Sequence, residues 1–321
     1  NNTQTSHTVG FQPDFTWLKV RNAVGNHYLY DAVRGANKDI NANDNTAEYT
    51  ATQNLMSFDA NGYTVGTSNS INTNGETMVG WNWKANGASS ANTDGTISST
   101  VSANTTAGFS IVSYTGNSTS GATVGHGLGA IPKWIIVKAL NTTDNWEVYH
   151  ASLGAEKYIE LNLTAAQGDS TAIWNDTEPT SSVFSIGNNS GVNTNGNPYI
   201  AYCFAEKQGF SKFGSYVGNQ SADGTFVYTG FKPAFVLSKD TTGVGESWFI
   251  HDNKRNSFNP TNTYLRPNLS NGDGTAHHYD FHSNGFKNRY AGGSLNSSGR
   301  TYIYMAFAEQ PLVGDNPATA R

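Results

Sequence analysis

The stretch Tyr199-Ile200-Ala201-Tyr202-Cys203-Phe204-Ala205-Glu206 belongs to a block that occurs three times in this chain of 321 residues. Residues 196–204 align without gaps on residues 75–83 and on residues 299–307. In each copy every second residue is apolar or aromatic, which is typical of a β-strand with one face in a core. The alternating sets are Val79, Trp81 and Trp83, then Ile200, Tyr202 and Phe204, then Ile303, Met305 and Phe307. The chain is therefore predicted to contain three equivalent units, each ending in such a strand.

A second block lies earlier in each unit and supports the same repeat. It places Pro two positions before an aromatic residue and six positions before Lys. Its copies are Pro13-Phe15-Lys19, Pro132-Trp134-Lys138 and Pro233-Phe235-Lys239. We therefore expect these residues, and the aromatic residues that end the last strands, to occupy equivalent positions.

A third block, residues 108–117, recurs at 209–219 with one inserted residue and has no copy in the first unit. The first unit is thus expected to begin part-way through a repeat, as in a fragment of a longer protein. Residues 85–107 are small and polar, which favours a linker. The predicted organisation is a first β-repeat at 1–84 with its opening strand missing, a linker at 85–107, a second repeat at 108–208, a third at 209–311 and a tail at 312–321.

The fold class follows from the density of short alternating segments. Asn61-Gly62 and Asn284-Gly285 are hairpin-turn dipeptides between strand-like runs, and no segment has convincing helical periodicity. The second unit reads as about seven strands, near 109–115, 122–127, 133–140, 146–152, 157–163, 182–187 and 199–206. This density predicts an all-β protein of tandem β-sandwich repeats of the jelly-roll or lectin-like kind.

Composition excludes several functional classes. The net charge is -5, so the chain lacks the basic surface that would neutralise a nucleic-acid backbone. No apolar run is long enough for a membrane helix, and a single Cys excludes a disulfide framework within the chain and a multi-cysteine zinc site. We expect no nucleic-acid partner, no membrane insertion, no cofactor and no metal.

The repeated blocks resemble a module found in tail-fibre and other virion proteins of tailed bacteriophages. The resemblance lies in residues 108–117, in Val124-Gly125-His126-Gly127-Leu128-Gly129, in residues 132–138 and 145–150, and in residues 199–206. It covers most of 108–311. It implies a lectin-like sandwich on a virion surface or tail, outside the cell, and supplies no catalytic residues.

Three candidates for chemistry have plainer interpretations. Cys203 corresponds to Asn82 and Ala306 in the other units, so we interpret it as structural. Asp31 and Asp252 each stand three residues before an Arg, which favours an ion pair that fixes a turn. Residues 39–45 match the start of a calcium loop but lack its Gly and its final Glu, so we interpret the match as chance. The chain is predicted not to be an enzyme.

The best binding signal is a set of residues where the second and third units differ most. An aromatic side chain beside amides and carboxylates suits the face of a sugar ring. The predicted carbohydrate-binding residues are Trp174, Asn175 and Asp176 in the second unit and His277, His278 and Tyr279 in the third. For Trp174, the alternative that its ring folds back onto the sandwich remains open.

The resulting hypothesis is a virion structural protein, a tail fibre or receptor-binding component that presents loops to a host surface polysaccharide. Its other expected partners are virion proteins and further copies of itself, with a trimer as the expected assembly. Two alternatives stay open: a carbohydrate-binding accessory module of a secreted enzyme, and a structural spacer or capsid-decorating protein without a ligand.

Overall fold

The computed structural model of the chain is all-β, with 44% of the residues in strands and 4% in helices. The structure describes residues 3–310, so the predicted tail at 312–321 lies outside the described residues. The tandem β-sandwich prediction is confirmed at the level of fold class.

The first unit has two antiparallel sheets. Its strands are β1 (Thr5–Thr8), β2 (Phe15–Val20), β3 (His27–Asp31), β4 (Lys38–Asn41), β5 (Tyr49–Thr50), β6 (Leu55–Asp59), β7 (Gly62–Val65) and β8 (Met78–Trp83). The main sheet has the order β5-β4-β3-β2-β8, and the smaller sheet has the order β1-β7-β6. The predicted Asn61-Gly62 turn joins β6 to β7.

The second unit has a larger main sheet and a two-stranded partner. Its elements are β9 (Ser90–Asn92), β10 (Ser99–Asn104), β11 (Phe109–Thr115), β12 (Ala122–Gly125), β13 (Pro132–Ala139), β14 (Glu147–His150), β15 (Lys157–Glu160), β16 (Gly168–Asp169), α1 (Thr171–Trp174), β17 (Val183–Ile186), α2 (Ser190–Asn193) and β18 (Pro198–Ala205). The sheet orders are β16-β15-β14-β13-β18-β11-β10-β9 and β12-β17. The seven strands predicted for this unit are all present.

The third unit forms one eight-stranded antiparallel sheet. Its elements are β19 (Ser211–Val217), β20 (Phe226–Tyr228), β21 (Pro233–Asp240), β22 (Trp248–Asp252), β23 (Thr261–Leu265), β24 (Gly274–His282), β25 (Gly285–Asn288), α3 (Gly293–Asn296) and β26 (Thr301–Ala308). The strand order is β19-β26-β21-β22-β23-β24-β25-β20.

The segment 85–107 is not the linker that its composition indicated. β10 pairs with β11 along its whole length, and β9 pairs with β10. Two apolar side chains in this polar run, Ile97 and Val101, are buried in the core of the second unit. The buried Ser99 and Ser102 also hold the segment, because their hydroxyls donate to the carbonyls of Gly125 and Gly87 at 2.8 and 3.2 Å.

Strand registers agree with the sequence repeat. Pro132 pairs with Ala205 and Pro233 with Ala308, and both strands have an irregularity between the Pro and the following aromatic residue. The aromatic pairs at this position are Phe15 with Trp83, Trp134 with Phe204, and Phe235 with Phe307. The predicted equivalence of the three units is confirmed at the level of strand pairing.

Each main sheet buries both of its faces. One face of the main sheet in every unit contributes to a single shared aromatic and aliphatic cluster. At its centre the equivalent rings of Trp83, Phe204 and Phe307 form a triangle with centroid distances of 5.7 to 6.4 Å. The opposite faces form three separate cores, one for each unit. The units therefore pack around a common centre rather than standing as independent domains in a row.

Equivalent backbone hydrogen bonds close the three units into a ring. In each bond, a backbone N–H of one unit donates to the carbonyl of the residue directly after β2, β13 or β21 of the next unit. The bonds are Glu48 N to Leu140 O at 2.8 Å, Gln167 N to Thr241 O at 2.9 Å and Asp273 N to Arg21 O at 2.6 Å. Since the third bond returns to the first unit, the described part of the chain has approximate threefold symmetry.

The two predicted turn ion pairs are present and buried. Arg34 Nε donates to Asp31 Oδ2 at 2.5 Å, and Arg255 Nε donates to Asp252 Oδ2 at 2.6 Å. Each carboxylate also accepts a hydrogen bond from the neighbouring unit, Asp31 from Tyr202 Oη at 2.8 Å and Asp252 from Trp81 Nε1 at 3.2 Å.

The equivalent contact between the second and third units has different residues on both sides. The position equivalent to the Asp is His150, and the donor position in the next unit is Met305, whose side chain has no N–H or O–H to give. A buried carboxylate without a donor is costly, so loss of the donor is matched by loss of the charge.

Candidate binding surface

The third unit exposes two aromatic side chains on one face of β20. Phe226 is 44% exposed and Tyr228 is 65% exposed, while Val227 between them is buried in the core of this unit. Alternate side chains of a strand point to opposite faces, so Phe226 and Tyr228 lie side by side on the outer face. We call this pair the aromatic strip.

Strand β25 provides a flat neighbour for the aromatic strip. Gly285 pairs with Tyr228, and Lys287 pairs with Phe226. An ideal Cβ at Gly285 would lie 2.1 Å from the Val227 carbonyl oxygen and 2.9 Å from Phe226 Cζ, so a side chain there would meet both. The ring of His282 contacts Phe226 edge-on with centroids 5.9 Å apart. The glycine therefore leaves the Phe226 ring room to lie across the sheet.

Charged groups lie beside the aromatic strip. Asp223 forms ion pairs with Lys287 and with Arg289, the latter at 3.3 Å, and Lys287 lowers the pKa of the Asp223 carboxyl. Arg289 also contacts Asp280 at 3.4 Å. The surface thus combines two exposed aromatic faces with ammonium, guanidinium and carboxylate groups, which can donate to and accept from sugar hydroxyls.

The aromatic strip is particular to the third unit. Strand pairing makes Thr123 and Gly125 of the second unit equivalent to Phe226 and Tyr228. There, Thr123 accepts a hydrogen bond from Thr96 N at 2.9 Å, and Gly125 lies against the side chain of Asn92. The segment preceding β10 covers this face in the second unit, whereas the corresponding face of β20 is open.

Comparison with known proteins gives a family but no function. A family model described as a domain of unknown function, DUF7483, matches residues 1–311. The chain belongs to this family. No curated protein and no solved structure matches it. In residues 3–310 of this DUF7483 chain, no helix is long and apolar enough to cross a membrane, and no group of three or more His, Cys, Asp or Glu could hold a metal ion.

Of the two interpretations of Trp174, the structure supports the ring folded back onto the sandwich and not the sugar contact. The side chain of Ser170 caps α1, which directs Ile173 and Trp174 inward. Trp174 is 2% exposed and packs edge-on against the ring of Tyr149 at 6.0 Å. Its ring therefore belongs to the core of the second unit and has no free face for a sugar.

The neighbours of Trp174 form a tight turn. Asn175 and Asp176 both have positive φ angles, 53° and 45°, and Asn175 Oδ1 accepts a hydrogen bond from Ser120 at 3.0 Å. Asp176 is exposed. These two polar residues remain accessible, but without an aromatic face beside them.

The predicted residues of the third unit also divide between core and surface. Tyr279 is fully buried, and its hydroxyl contacts those of Tyr216 and Ser238, each at 3.0 Å. His278 is half-buried, with its ring 6.2 Å from that of Tyr290. The side chain of His277 lies outside what the structure describes. The burial of Tyr279 contradicts its assignment as a sugar contact, because an alternating strand must turn one side inward.

The sequence contains a signal for the aromatic strip in the pattern of β20. Phe226 and Tyr228 alternate with an apolar residue, as in a strand with one buried face. Their counterparts in the second unit are a Thr and a Gly. Large aromatics at positions where the repeat has small residues indicate a surface that packing does not require.

The surroundings of Cys203 fit a structural role and not a catalytic one. It is fully buried in β18, and burial raises the pKa of its thiol. A thiol held protonated is a poor nucleophile. The two candidate carboxylates, Asp31 and Asp252, are occupied by their ion pairs, and Asp39 of the calcium-like segment is buried against the amide of Asn54.

Proposed function

We propose that this chain is a non-enzymatic structural component of a bacteriophage virion, in a tail fibre or receptor-binding assembly, and that it contacts a host surface polysaccharide through the aromatic strip. The observation that carries the binding part is the exposure of Phe226 and Tyr228 on one face of β20. The virion setting and the extracellular location rest on the resemblance of residues 108–311 to virion repeat modules.

The chemistry of the aromatic strip suits a sugar ligand. Aromatic rings stack on the C–H faces of pyranose rings, and neighbouring charged groups can bond the hydroxyls. The strip lies on a strand whose other face is buried, so little order has to be gained on binding. Asp223, Lys287 and Arg289 would supply the polar contacts of such a site.

The ring of three units supports the structural part of the proposal. A shared core and closed inter-unit hydrogen bonds make a stiff body on which surface residues are free to vary. Further copies of the chain, as a trimer, and other virion proteins are the assembly partners that we propose.

The experiment is a binding assay on the double variant Phe226→Ala and Tyr228→Ala. We expect binding to host cells or to purified bacterial surface polysaccharides to weaken about tenfold or more, because a few aromatic anchors usually dominate an interface. The melting temperature should change little, since both side chains are exposed. Phe258→Ala is the matched control, because Phe258 is 86% exposed elsewhere in the same unit.

Equal binding by the double variant and the control would contradict the proposal. A chain that binds none of the polysaccharides in either form would favour the ligand-free spacer instead.

A further inference from the structure

One of the three equivalent terminal strands has an open edge. β18 lies between β11 and β13, and β26 lies between β19 and β21. β8 pairs with β2 alone among the strands that the structure describes. Within residues 3–310, no strand equivalent to β11 or β19 stands beside it.

A groove follows this open edge. It is a cavity of about 340 Å³ between the first and third units, and its apolar lining includes Val79, Trp81, Trp83, Phe210, Phe235 and Phe307. Val79 is only partly buried, whereas its counterparts Ile200 and Ile303 are fully buried. The groove therefore leaves apolar surface uncovered that the other two units cover.

In the second and third units an aromatic side chain of the opening strand packs between rings of two units, although Phe109 pairs opposite Phe204 and Phe213 pairs opposite Met305. Phe109 of β11 stacks on Phe204 at 4.7 Å and contacts Phe15 of the first unit at 6.0 Å. Phe213 of β19 contacts Phe307 at 6.1 Å and Trp134 of the second unit at 6.4 Å.

Under the threefold arrangement, the equivalent position in the first unit lies beside Trp83 and Phe235, whose rings contact each other edge-on with centroids 5.8 Å apart. Both residues line the groove beside β8. The groove is thus the place that an aromatic residue of a third opening strand would occupy.

The backbone of β8 has hydrogen-bonding groups for such a strand. The carbonyls of Thr77 and Trp83 accept from β2 and its flanking residues, at Arg21 N and Asp14 N. Because antiparallel strands alternate the direction of their backbone groups, the N–H and C=O groups of the even-numbered residues Gly80 and Asn82 face the open edge. The Gly80 carbonyl there accepts a hydrogen bond from Asn82 Nδ2 at 3.3 Å, and its second lone pair can accept from an added strand. An open edge of this kind is a template for strand addition.

Hydrogen bonds of three equivalent Asn side chains indicate where an added strand would end. Asn193 Nδ2 donates to Thr119 O at 2.9 Å, and Asn296 Nδ2 donates to Ser221 O at 2.8 Å. Both carbonyls come shortly after the opening strands. In the first unit, Asn72 Nδ2 donates to Thr3 O at 2.7 Å. A third opening strand would therefore run antiparallel to β8 and end near Thr3.

We propose that the groove along β8 binds one extended peptide strand with the sequence pattern of residues 109–115. This strand runs antiparallel to β8 and places an aromatic or aliphatic residue opposite Trp83 and another opposite Trp81, as Phe109 and Ile111 do opposite Phe204 and Tyr202. The inference does not depend on the aromatic strip.

The test is titration of the 321-residue chain with a synthetic peptide that has the sequence of residues 107–117. We expect saturable one-to-one binding by calorimetry and protection of tryptophan fluorescence from a soluble quencher, because Trp81 and Trp83 line the groove. The control peptide has Asp in place of Phe109 and Ile111. Failure of the first peptide to bind, or equal binding of the two peptides, would overturn the proposal.

Two variants of β8 distinguish strand addition from loose apolar contact. Asn82→Ala removes the two hydrogen bonds of the Asn82 side chain, in which Oδ1 accepts from Thr16 at 2.9 Å and Nδ2 donates to Gly80 O at 3.3 Å, but keeps the backbone N–H. Asn82→Pro removes both of these bonds as well as the N–H at the open edge. We expect the peptide to bind Asn82→Ala nearly as well as the natural chain and Asn82→Pro about tenfold more weakly or worse.

Equal affinity for the Pro and Ala variants would overturn strand addition. Sedimentation of the natural chain provides a further check, because a dimer that the peptide cannot dissociate would place a second copy in the groove and overturn the proposal.

Discussion

Replacing Phe204 with Ala should lower the free energy of unfolding by about 3 to 5 kcal/mol. Phe204 is 2% exposed, and its ring contacts those of Trp83 and Phe307 at 6.4 and 6.0 Å. Removing it opens a cavity where all three units meet. The surrounding rings are anchored in three different sheets and cannot all move inward to fill the space.

Urea denaturation followed by circular dichroism measures this loss. Phe258→Ala is the control, because it makes the same chemical change on a side chain that is 86% exposed. A loss below about 1 kcal/mol for Phe204→Ala would mean that the aromatic triangle does not hold the units together.

Glu147→Gln should make the stability of the chain less sensitive to pH between 5 and 8. Glu147 is buried in β14 and stands directly opposite Glu160 on the neighbouring strand. Burial, with the charge of Glu160 adding to it, raises the pKa of Glu147 from 4.5 to about 8. The equivalent residues in the other units are Tyr28 and Phe249, so only the second unit has an acid here.

The direction of the effect follows from linkage. Because the folded pKa lies above the unfolded value, the contribution of Glu147 is fully present below pH 4.5 and is lost as the pH rises toward 8. Between pH 5 and pH 8 the natural chain should therefore lose about 3 kcal/mol relative to Glu147→Gln.

Paired urea titrations of the two proteins at pH 5 and pH 8 measure this difference. The histidines contribute equally to both proteins and cancel. An unchanged difference between the two pH values would contradict the buried, protonated state of Glu147.

Local features of the fold were predictable because they depend on residues close in sequence. The alternation in residues 199–206 gave a buried strand, and the Pro132 and Pro233 blocks gave its neighbours in the correct register. The Asp-Arg spacing in residues 31–34 gave the turn ion pair. Each pattern depends on strand geometry or on a short turn, so the same residues form the same local structure in each unit where they occur.

The arrangement of the units was not predictable in the same way. The hydrogen bond from Trp146 Nε1 to Asn41 O, at 2.8 Å, joins residues in different units, and nothing in the local pattern indicates it. Polar composition also concealed β10, because buried Ser side chains hold this segment together with its two apolar anchors.

The candidate site was only partly accessible to sequence reasoning. Trp174 lies in a turn-rich segment, and its burial depends on a short helix whose cap is set by Ser170. Phe226 and Tyr228 carried a signal, but their exposure depends on a covering segment that the second unit has at this face and the third does not. Which aromatic residues face solvent is decided by packing between distant segments.

Differential scanning calorimetry of the whole chain tests most directly whether the three units form one closed body around a shared core. Because breaking any unit exposes the core of the others, we expect a single transition whose calorimetric and van't Hoff enthalpies agree. Two or three separable transitions, or a calorimetric enthalpy well above the van't Hoff value, would show that the units unfold independently and would contradict the ring.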